Sequence, residues 1–297
     1  MHHAILGPGG VGGLLAACLA KTGNRVTVVV RSDRLKDYPT NLHLESPFGQ
    51  FRVEAEKADV VPAADVLWIT VKAPQLEESL GSLRDPNCVR AIVPLLNGID
   101  HVAMLRERYG KSRVIAATIA VESERVAPGQ IVHRSPFARL NVSSAGRAVL
   151  ENTLNALQGL GFTCTFLDDE VTLLWSKLVF LGPIALATTA ANKTIGEVAA
   201  DVSWQSRLEA AVVEACAVAR AAGAKVEPEP LIAMIRGLPG HMRSSMQKDV
   251  DRGNVPELDA IAGPILHGSA RLGVEVPVTK DLVERVKNRA GRQASSL

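Results

Sequence analysis

A single lysine stands in a long apolar stretch in the second half of the sequence. Between Glu170 and Lys193 the only charged side chain is that of Lys177, within the segment WSKLVFLGPIALATTAANK. Burying an ammonium group costs free energy unless the group is paired or its pKa falls. The plain interpretation is a structural lysine that extends its charged end from a helix into water. A lysine that stays in apolar surroundings instead would need a function that explains the cost of its burial.

A glycine-rich loop lies close to the start of the chain. Residues 7–12, GPGGVG, have the pattern G-x-G-x-x-G, follow a short apolar strand and open a helix. Glycines in this context let the backbone approach a pyrophosphate at the helix N-terminus. A glycine-rich turn that serves only packing is the alternative. The residues expected to bind a dinucleotide are Gly7, Gly9, Gly10, Val11 and Gly12.

The second strand, RVTVVV, ends at Arg31, with Arg34 nearby. Proteins that bind NAD usually place an acidic residue at this strand end, where it accepts from the ribose hydroxyls. A guanidinium suits a 2′-phosphate instead, so Arg31 favours NADP(H) as the cofactor. Asp33 keeps NAD open as the lesser choice, and a solvated surface charge is the plain alternative for Arg31.

Two further strands end in polar residues. The strand VLWITV runs into Lys72, and the strand AIVPLL runs into Asn97 and Gly98. In open α/β sheets the ligand lies beyond the carboxyl ends of the strands. Lys72 and Asn97 are therefore candidates for the cofactor cleft, although each alone fits an ordinary loop or cap residue.

The order of the elements predicts an α/β fold, with an N-terminal Rossmann-type parallel sheet domain followed by an all-α C-terminal domain. Strand and helix patterns alternate in the first half, with extra β-rich segments at 42–53 and 114–142. The predicted domains are residues 1–167, which would bind NADP, and residues 168–297, a helical substrate and catalytic domain. A kink or break is expected in the lysine helix at Gly182-Pro183.

Composition excludes several classes of function. The 297 residues carry a net charge of only +2, which gives no support for a nucleic-acid or acidic-membrane partner. No signal peptide is recognised, and we expect a cytoplasmic protein with reduced thiols and no metal. The final segment QASSL is expected to fray. The cysteines show no metal or redox spacing; they are Cys18, Cys88, Cys164 and Cys216.

Taken in order, these motifs resemble the ketopantoate reductase family. The similarity rests on the glycine loop, Arg31, VKAPQ, LLNG, WSKL and a late SSM segment followed by a glutamate, and it runs over most of the chain. The resemblance implies a Rossmann domain followed by an all-helical domain, with the active site between them. It also implies NADPH-dependent reduction of 2-dehydropantoate to (R)-pantoate, a step toward pantothenate and coenzyme A.

The resemblance also implies roles for particular residues. Lys177 would be the general acid, and Asn97 would lie by the nicotinamide and the substrate carbonyl. Ser245 would help to hold the substrate carboxylate, and Glu257 would contact the substrate and support the lysine. Lys72 and Gln75 match the cofactor-side residues of the family.

Plainer alternatives exist for two of these residues. Glu257 lies three residues after Asn254, so Asn254-Val255-Pro256-Glu257 fits a variant capping box before a helix. Ser245 fits an ordinary polar helix residue.

One departure from the family leaves the substrate open. Family members that reduce ketopantoate usually carry asparagines four and eight residues after the lysine, where this chain has Leu181 and Ala185. Apolar side chains cannot make the same hydrogen bonds to a substrate hydroxyl. The alternatives are therefore a reductase of a more apolar 2-oxo acid, or a non-catalytic NADP-binding sensor. Pairing into a homodimer is left open.

Overall fold

The computed structural model describes residues 1–294 of the chain. These residues form two compact units. The first unit comprises Met1–Leu96 and His101–Leu173, and the second comprises Asn97–Asp100 and the chain from Leu174 onward. Asn97 therefore belongs with the helical second unit, whereas the prediction assigned it to the first domain.

The division into units falls at Leu173, six residues beyond the predicted boundary after Leu167. An ion pair within the first unit accounts for the difference. The Nη2 of Arg106 donates to Oε2 of Glu170 at 2.8 Å, which ties the first turn of the following helix to the α/β unit. The predicted boundary instead followed the change from strand to helix pattern.

The strands of the described chain all belong to the first unit. In chain order they are β1 (His2–Leu6), β2 (Arg25–Val29), β3 (Asn41–Ser46), β4 (Gly49–Glu54), β5 (Glu56–Ala58), β6 (Ala64–Ile69), β7 (Val89–Pro94), β8 (Ala117–Ala120), β9 (Ser123–Ala127), β10 (Gln130–His133), β11 (Arg139–Ser143) and β12 (Thr163–Leu167).

The helices dominate the second half of the chain. In chain order they are α1 (Gly10–Lys21), α2 (Ser32–Leu35), α3 (Leu76–Leu80), α4 (Asp100–Tyr109), α5 (Arg147–Gln158), α6 (Glu170–Ala191), α7 (Ile195–Ala200), α8 (Val202–Ala221), α9 (Pro228–Arg236), α10 (Ser245–Asp251), α11 (Leu258–Leu272) and α12 (Pro277–Ala294).

The central sheet of the first unit is parallel, with the strand order β5-β2-β1-β6-β7. Leu6 pairs with Val29 on one side and with Ile69 on the other, so neighbouring strands end level with one another. Loops that follow these strands therefore leave the sheet at a common edge. This arrangement confirms the predicted Rossmann-type fold of the first domain.

Two smaller sheets complete the first unit. One has the order β4-β3-β10-β9, and the other has the order β12-β11-β8. The β3–β4 pair is an antiparallel hairpin that turns at residues 46–49, where Pro47-Gly49 predicts a turn. Helix α1 packs within one core that includes Ile5 of the central sheet and Leu44 and Ile131 of the second sheet.

Helix α6 runs continuously from Glu170 to Ala191, so of the predicted kink or break at Gly182-Pro183 the break is wrong. Proline removes one helical hydrogen bond, and tertiary packing compensates for that loss here. A Cβ on Gly182 would lie 3.4 Å from Cδ1 of Ile265, which shows how closely α11 packs on this part of α6.

By length and composition α6 is also the one helix of the described chain that could cross a membrane. Buried positions make up 61% of its most apolar window, as in the core helix of a soluble protein. The apolar character of α6 therefore has a sufficient explanation in the core of the second unit.

The start of the last helix, α12, is held by a side chain of α8. The helix begins at Pro277, and the carboxylate of Glu214 on α8 accepts hydrogen bonds from the backbone N–H groups of Val278 and Thr279. These bonds satisfy donors that a helix start leaves free. Of the segment expected to fray, Gln293 and Ala294 belong to α12, and residues 295–297 lie outside the described residues.

A buried histidine makes the first unit sensitive to acid. His3 on β1 is fully buried, and its Nδ1 accepts a hydrogen bond from Nε1 of Trp68 at 3.2 Å. Burial lowers the pKa of His3 from 6.5 to about 4, so the folded state favours the neutral ring. The contribution of the neutral His3 ring to the free energy of unfolding is complete above pH 6.5. It is lost as the pH falls through about 4, a total loss of about 3 kcal/mol.

We expect His3→Gln to weaken this acid dependence, because glutamine can still accept from Trp68 but does not titrate. The free energy of unfolding, measured with urea between pH 7 and 4, should fall less in the variant than in the wild type. His43→Gln, at an exposed position on β3, should keep the wild-type decline. Equal declines in His3→Gln and the wild type would contradict the assignment.

Candidate active site

Lys177 lies in the third turn of α6 and is partly buried in the second unit. Its helix neighbours Trp175, Leu178 and Val179 are buried and apolar. Burial lowers the pKa of Lys177 from 10.5 to about 8, and the charge of Glu257 partly opposes that shift. A proton-donating group with this pKa is close to balance between its two forms at neutral to mildly alkaline pH.

The amide of Asn97 joins the lysine to a carboxylate. The Nζ of Lys177 donates to Oδ1 of Asn97 at 3.2 Å, and Nδ2 of Asn97 donates to Oε2 of Glu257 at 3.0 Å. The amide group of Asn97 thus accepts from the ammonium of Lys177 and donates to the carboxylate of Glu257. The structure brings together the three predicted catalytic residues, which are separated by 80 and 160 positions along the chain.

Gly98 explains how the Asn97 loop reaches this position. Its φ is +82°, and a Cβ at this residue would lie 2.2 Å from the carbonyl oxygen of Ala260. Only glycine permits both this backbone conformation and this close approach to the first turn of α11. Ile99 packs against the hydrophobic core of the second unit, which anchors the loop on its other side.

Glu257 directs its carboxylate to the site rather than to its own helix. It stands immediately before α11, its side chain makes no capping hydrogen bond to that helix, and it is 8% exposed. Helix α11 begins at Leu258, so Asn254 is not its N-cap and the capping-box alternative is wrong. A buried carboxylate needs a compensating partner, and the amide of Asn97 provides one.

Lys177, Asn97 and Glu257 form a hydrogen-bonded trio, to which Ser245 does not belong. It is the first residue of α10 and is exposed. The preceding residue, Ser244, is buried and caps the helix by accepting from the backbone N–H of Gln247 at 3.2 Å. Sequence reasoning did not single out Ser244, although a serine three residues before a glutamine is a recognisable capping signal.

The positions that depart from the family pattern lie on the lysine helix. Leu181 is four residues beyond Lys177, so the two share a face of α6, and Leu181 is only partly buried. Ala185 is 1% exposed and belongs to the hydrophobic core of the second unit. The helix surface that follows the ammonium is therefore apolar.

In the first unit the glycine loop has the form of a dinucleotide cradle. A Cβ on Gly12 would lie 2.5 Å from the carbonyl oxygen of Gly7, so this glycine is required by packing. Gly9 differs, because a Cβ there would meet nothing closer than 4.0 Å. The fold alone does not require glycine at Gly9, and its missing side chain leaves the N-terminus of α1 open, as close approach of a pyrophosphate needs.

Two hydroxyl groups brace this loop, and sequence reasoning missed both. Oγ1 of Thr70 donates to the carbonyl oxygen of Gly7 at 2.8 Å, and Oγ of Ser123 donates to that of Gly10 at 2.9 Å. Thr70 follows strand β6, which pairs with β1, so its proximity to the loop could be inferred from a parallel sheet. The contact of Ser123 depends on a strand of another sheet and has no local signal.

Three further residues predicted to bind the cofactor are exposed in the first unit. Arg31, Lys72 and Gln75 follow strands β2 and β6 at the carboxyl edge of the sheet. The Nε of Arg31 lies 3.6 Å from Asp33, and Arg34 lies 3.3 Å from the same carboxylate. One acidic group is thus shared by two guanidinium groups, which leaves a local excess of positive charge. Val11 is a partly buried residue in the first turn of α1.

Within residues 1–294, histidine, cysteine and acidic side chains form no group of three or more that could hold a metal ion. The donor set of the site is an amine, an amide and a carboxylate, which suits proton transfer.

Comparison with known proteins identifies the family. Residues 3–146 match the model described as Ketopantoate reductase PanE/ApbA, and residues 171–290 match that described as Ketopantoate reductase PanE/ApbA C terminal. The 2-dehydropantoate 2-reductase of Caulobacter vibrioides is 31% identical, over 94% of this chain and 96% of its own. The chain belongs to the ketopantoate reductase family and is an oxidoreductase that acts on CH–OH groups.

Solved structures share the whole fold. A PanE/ApbA family ketopantoate reductase from Ralstonia eutropha has a TM-score of 0.87 and 23% identity, with 99% of each chain covered. D-mandelate dehydrogenase, in a ternary structure with NADH and anilino(oxo)acetate, also has a TM-score of 0.87, with 19% identity and 99% of each chain covered. The likeness confirms the fold, and it extends over enzymes with different named substrates.

The charge of Glu257 should shift the pH dependence of a reaction in which Lys177 donates a proton. With Lys177 as the donor, kcat/KM for carbonyl reduction should fall as the pH rises through about 8. Glu257→Gln removes the charge that raises this pKa, and the falling limb should move to lower pH. The measurement is kcat/KM from pH 6 to 10 in both proteins.

Glu275→Gln, at an exposed position of the second unit, serves as the matched control and should keep the wild-type limb. A limb that stays in place in Glu257→Gln, or moves to higher pH, would show that Glu257 does not influence the proton donor as the structure indicates.

Proposed function

We propose that the protein uses NADPH to reduce 2-dehydropantoate to (R)-pantoate, with Lys177 as the general acid. The observation that carries this proposal is the ammonium of Lys177, whose pKa burial lowers to about 8 and whose position is fixed by the amide of Asn97. The 31% identical relative from Caulobacter vibrioides is a 2-dehydropantoate 2-reductase, which supports the choice of substrate.

The proposed reaction adds a hydride to the carbonyl carbon of the 2-oxo acid. Bound NADPH would supply that hydride. The carbonyl C=O π bond breaks, and negative charge grows on the oxygen. Lys177 stabilises this charge and then transfers its proton to the oxygen, which gives the 2-hydroxy acid. The lysine regains a proton from solvent, so the overall reaction consumes one proton.

The two neighbours of the lysine have separate roles in this proposal. Asn97 holds the ammonium through its Oδ1 atom and keeps the donor in one place. Glu257 keeps a larger fraction of Lys177 protonated, since its negative charge opposes the effect of burial on the lysine pKa. Ser245, exposed at the start of α10, would bind the substrate carboxylate through its hydroxyl.

The residues of the first unit fit a dinucleotide with a 2′-phosphate. The open backbone at Gly9 would receive the pyrophosphate at the N-terminus of α1. Arg31 forms an exposed ion pair with Asp33, an interaction that is weak in water and that a phosphate could replace. Lys72 and Gln75, exposed at the same sheet edge, would complete the cofactor contacts.

Arg31→Ala should raise KM for NADPH by about 10- to 100-fold, because it removes charge-assisted hydrogen bonds to the 2′-phosphate. KM for NADH, which lacks that phosphate, should change little. Arg25→Ala, at the other end of the same strand, should leave both values near those of the wild type. A wild-type preference for NADH, or an equal loss with both cofactors, would contradict the choice of NADP.

A more apolar 2-oxo acid is the second candidate substrate, and a specific observation favours it. Leu181 shares the helix face of Lys177, and Ala185 further along is buried in the core, so neither can hydrogen-bond a substrate hydroxyl. A site that lacks such groups loses discrimination in favour of hydroxylated substrates. In this alternative Lys177 keeps its role, and the substrate carries a branched or aromatic side chain.

The deciding experiment follows NADPH absorbance with 2-dehydropantoate and a panel of branched and aromatic 2-oxo acids. Lys177→Met keeps much of the side-chain volume without the proton, and it should lower kcat by about 10²- to 10⁴-fold. Lys280→Met, at an exposed position on α12, is the matched control. Faster turnover of an apolar acid than of 2-dehydropantoate would favour the second candidate.

The remaining outcome concerns a non-catalytic protein. Binding of NADPH without turnover of any acid in the panel, and with no difference between Lys177→Met and the wild type, would favour the sensor alternative and contradict the proposed function. A cytoplasmic location and assembly into a homodimer stay predictions from the sequence.

A further inference from the structure

Two adjacent threonines near the end of α6 are both fully buried but use their hydroxyl groups differently. Oγ1 of Thr188 lies 2.9 Å from Oγ of Ser244 and 2.7 Å from the carbonyl oxygen of Ile184. Oγ1 of Thr189 has no hydrogen-bond partner within the described chain. The pair therefore contains one threonine with a specific contact and one without.

The direction of the hydrogen bonds around Thr188 follows from the number of available protons. The carbonyl oxygen of Ile184 can only accept, so the single hydroxyl proton of Thr188 goes there. Ser244 then donates its own proton to Oγ1 of Thr188 and accepts from the backbone N–H of Gln247. Every group in this buried chain is satisfied, so removal of one hydroxyl leaves another without its partner.

This chain connects the lysine helix to the start of α10. Ser244 is the N-cap of α10, and Ser245 is the first residue of that helix. Thr188 lies eleven residues beyond Lys177, about three helical turns, so the two side chains leave nearly the same face of α6. Helix α6 thus carries both Lys177, the proposed proton donor, and Thr188, whose hydroxyl contacts Ser244 at the N-cap of α10.

We propose that Thr188 is a positioning residue for substrate binding. Through Ser244 it fixes the first turn of α10, and thereby the hydroxyl of Ser245 that would bind the carboxylate of the 2-oxo acid. The inference rests on the proposed function. It assigns to Thr188 an effect on substrate affinity, not on proton transfer or on the nicotinamide cofactor.

Thr188→Val removes the hydroxyl with little change of volume. KM for the 2-oxo acid should rise by about three- to tenfold, the range expected for loss of one buried hydrogen bond. The value of kcat, the falling limb of the pH profile and KM for NADPH should stay at their wild-type values. Thr188→Ser restores a hydroxyl and should recover most of the lost affinity.

Thr189→Val is the matched control, because it makes the same change at the neighbouring buried position, where the hydroxyl has no partner. It should leave all kinetic constants unchanged. Ser244→Ala should raise KM for the 2-oxo acid as Thr188→Val does. The double variant should be no worse than Ser244→Ala alone, since that change already breaks the contact with Thr188 as well as the cap of α10. Ser244→Ala also supplies the test if Thr188→Val does not fold.

The assays use NADPH with both 2-dehydropantoate and 2-oxo-3-phenylpropanoate. The inference is overturned if Thr188→Val keeps the wild-type KM for the acid while Ser245→Ala raises it, and the proposed function then stands. It is also overturned if Thr188→Val changes the pH limb or KM for NADPH to the same extent as KM for the acid. If Ser245→Ala has no effect on KM, both the role of Ser245 and this inference fail. Absence of turnover by the wild type would mark failure of the proposed function itself.

Discussion

The arrangement of the second unit depends on one constraint, which is the burial of an ammonium group. Lys177 loses hydration on α6, and the structure compensates through Asn97 and, beyond it, Glu257. The compensation is incomplete, because the pKa still falls to about 8. The unfolded chain therefore binds more protons between pH 8 and 10.5, so this group makes folding less favourable at neutral pH than above it. The proposed proton donor therefore makes an unfavourable contribution to folding at neutral pH.

Several features around the trio of Lys177, Asn97 and Glu257 hold its members close together beside the buried ammonium group. Gly98 lets the Asn97 loop approach the carbonyl of Ala260, and Ile99 secures the loop in the core. Glu257 stands at the N-terminus of α11, but its side chain does not cap that helix. The glycine loop of the first unit differs, since its shape depends on absent side chains, as at Gly9, and on backbone groups that accept from neighbouring hydroxyls.

Local patterns in the sequence were sufficient for much of this architecture. Strand periodicity and the glycine loop predicted the parallel sheet and α1, because both depend on residues close in the chain. The continuity of α6 through Pro183 was not predictable in that way, since it relies on packing against α11. Helix α7 has a local signal that was overlooked, the capping box of Thr194 and Glu197. The trio itself spans distant segments, and the resemblance to a family, not spacing, brought its members together in the prediction.

The apolar residues after the lysine have two effects that are linked. Leu181 and Ala185 remove hydrogen-bonding groups from the face of α6 that follows Lys177, and they also reduce the hydration of that face. Desolvation is the largest cause of the lowered lysine pKa, so a polar residue at Leu181 would tend to raise it. A change in side-chain specificity and a change in acid strength are therefore coupled on this helix. In the proposed reaction, apolar residues at these two positions would favour an apolar 2-oxo acid and would also lower the pKa of Lys177. Asparagines at the same positions would favour a hydroxylated substrate and a higher lysine pKa.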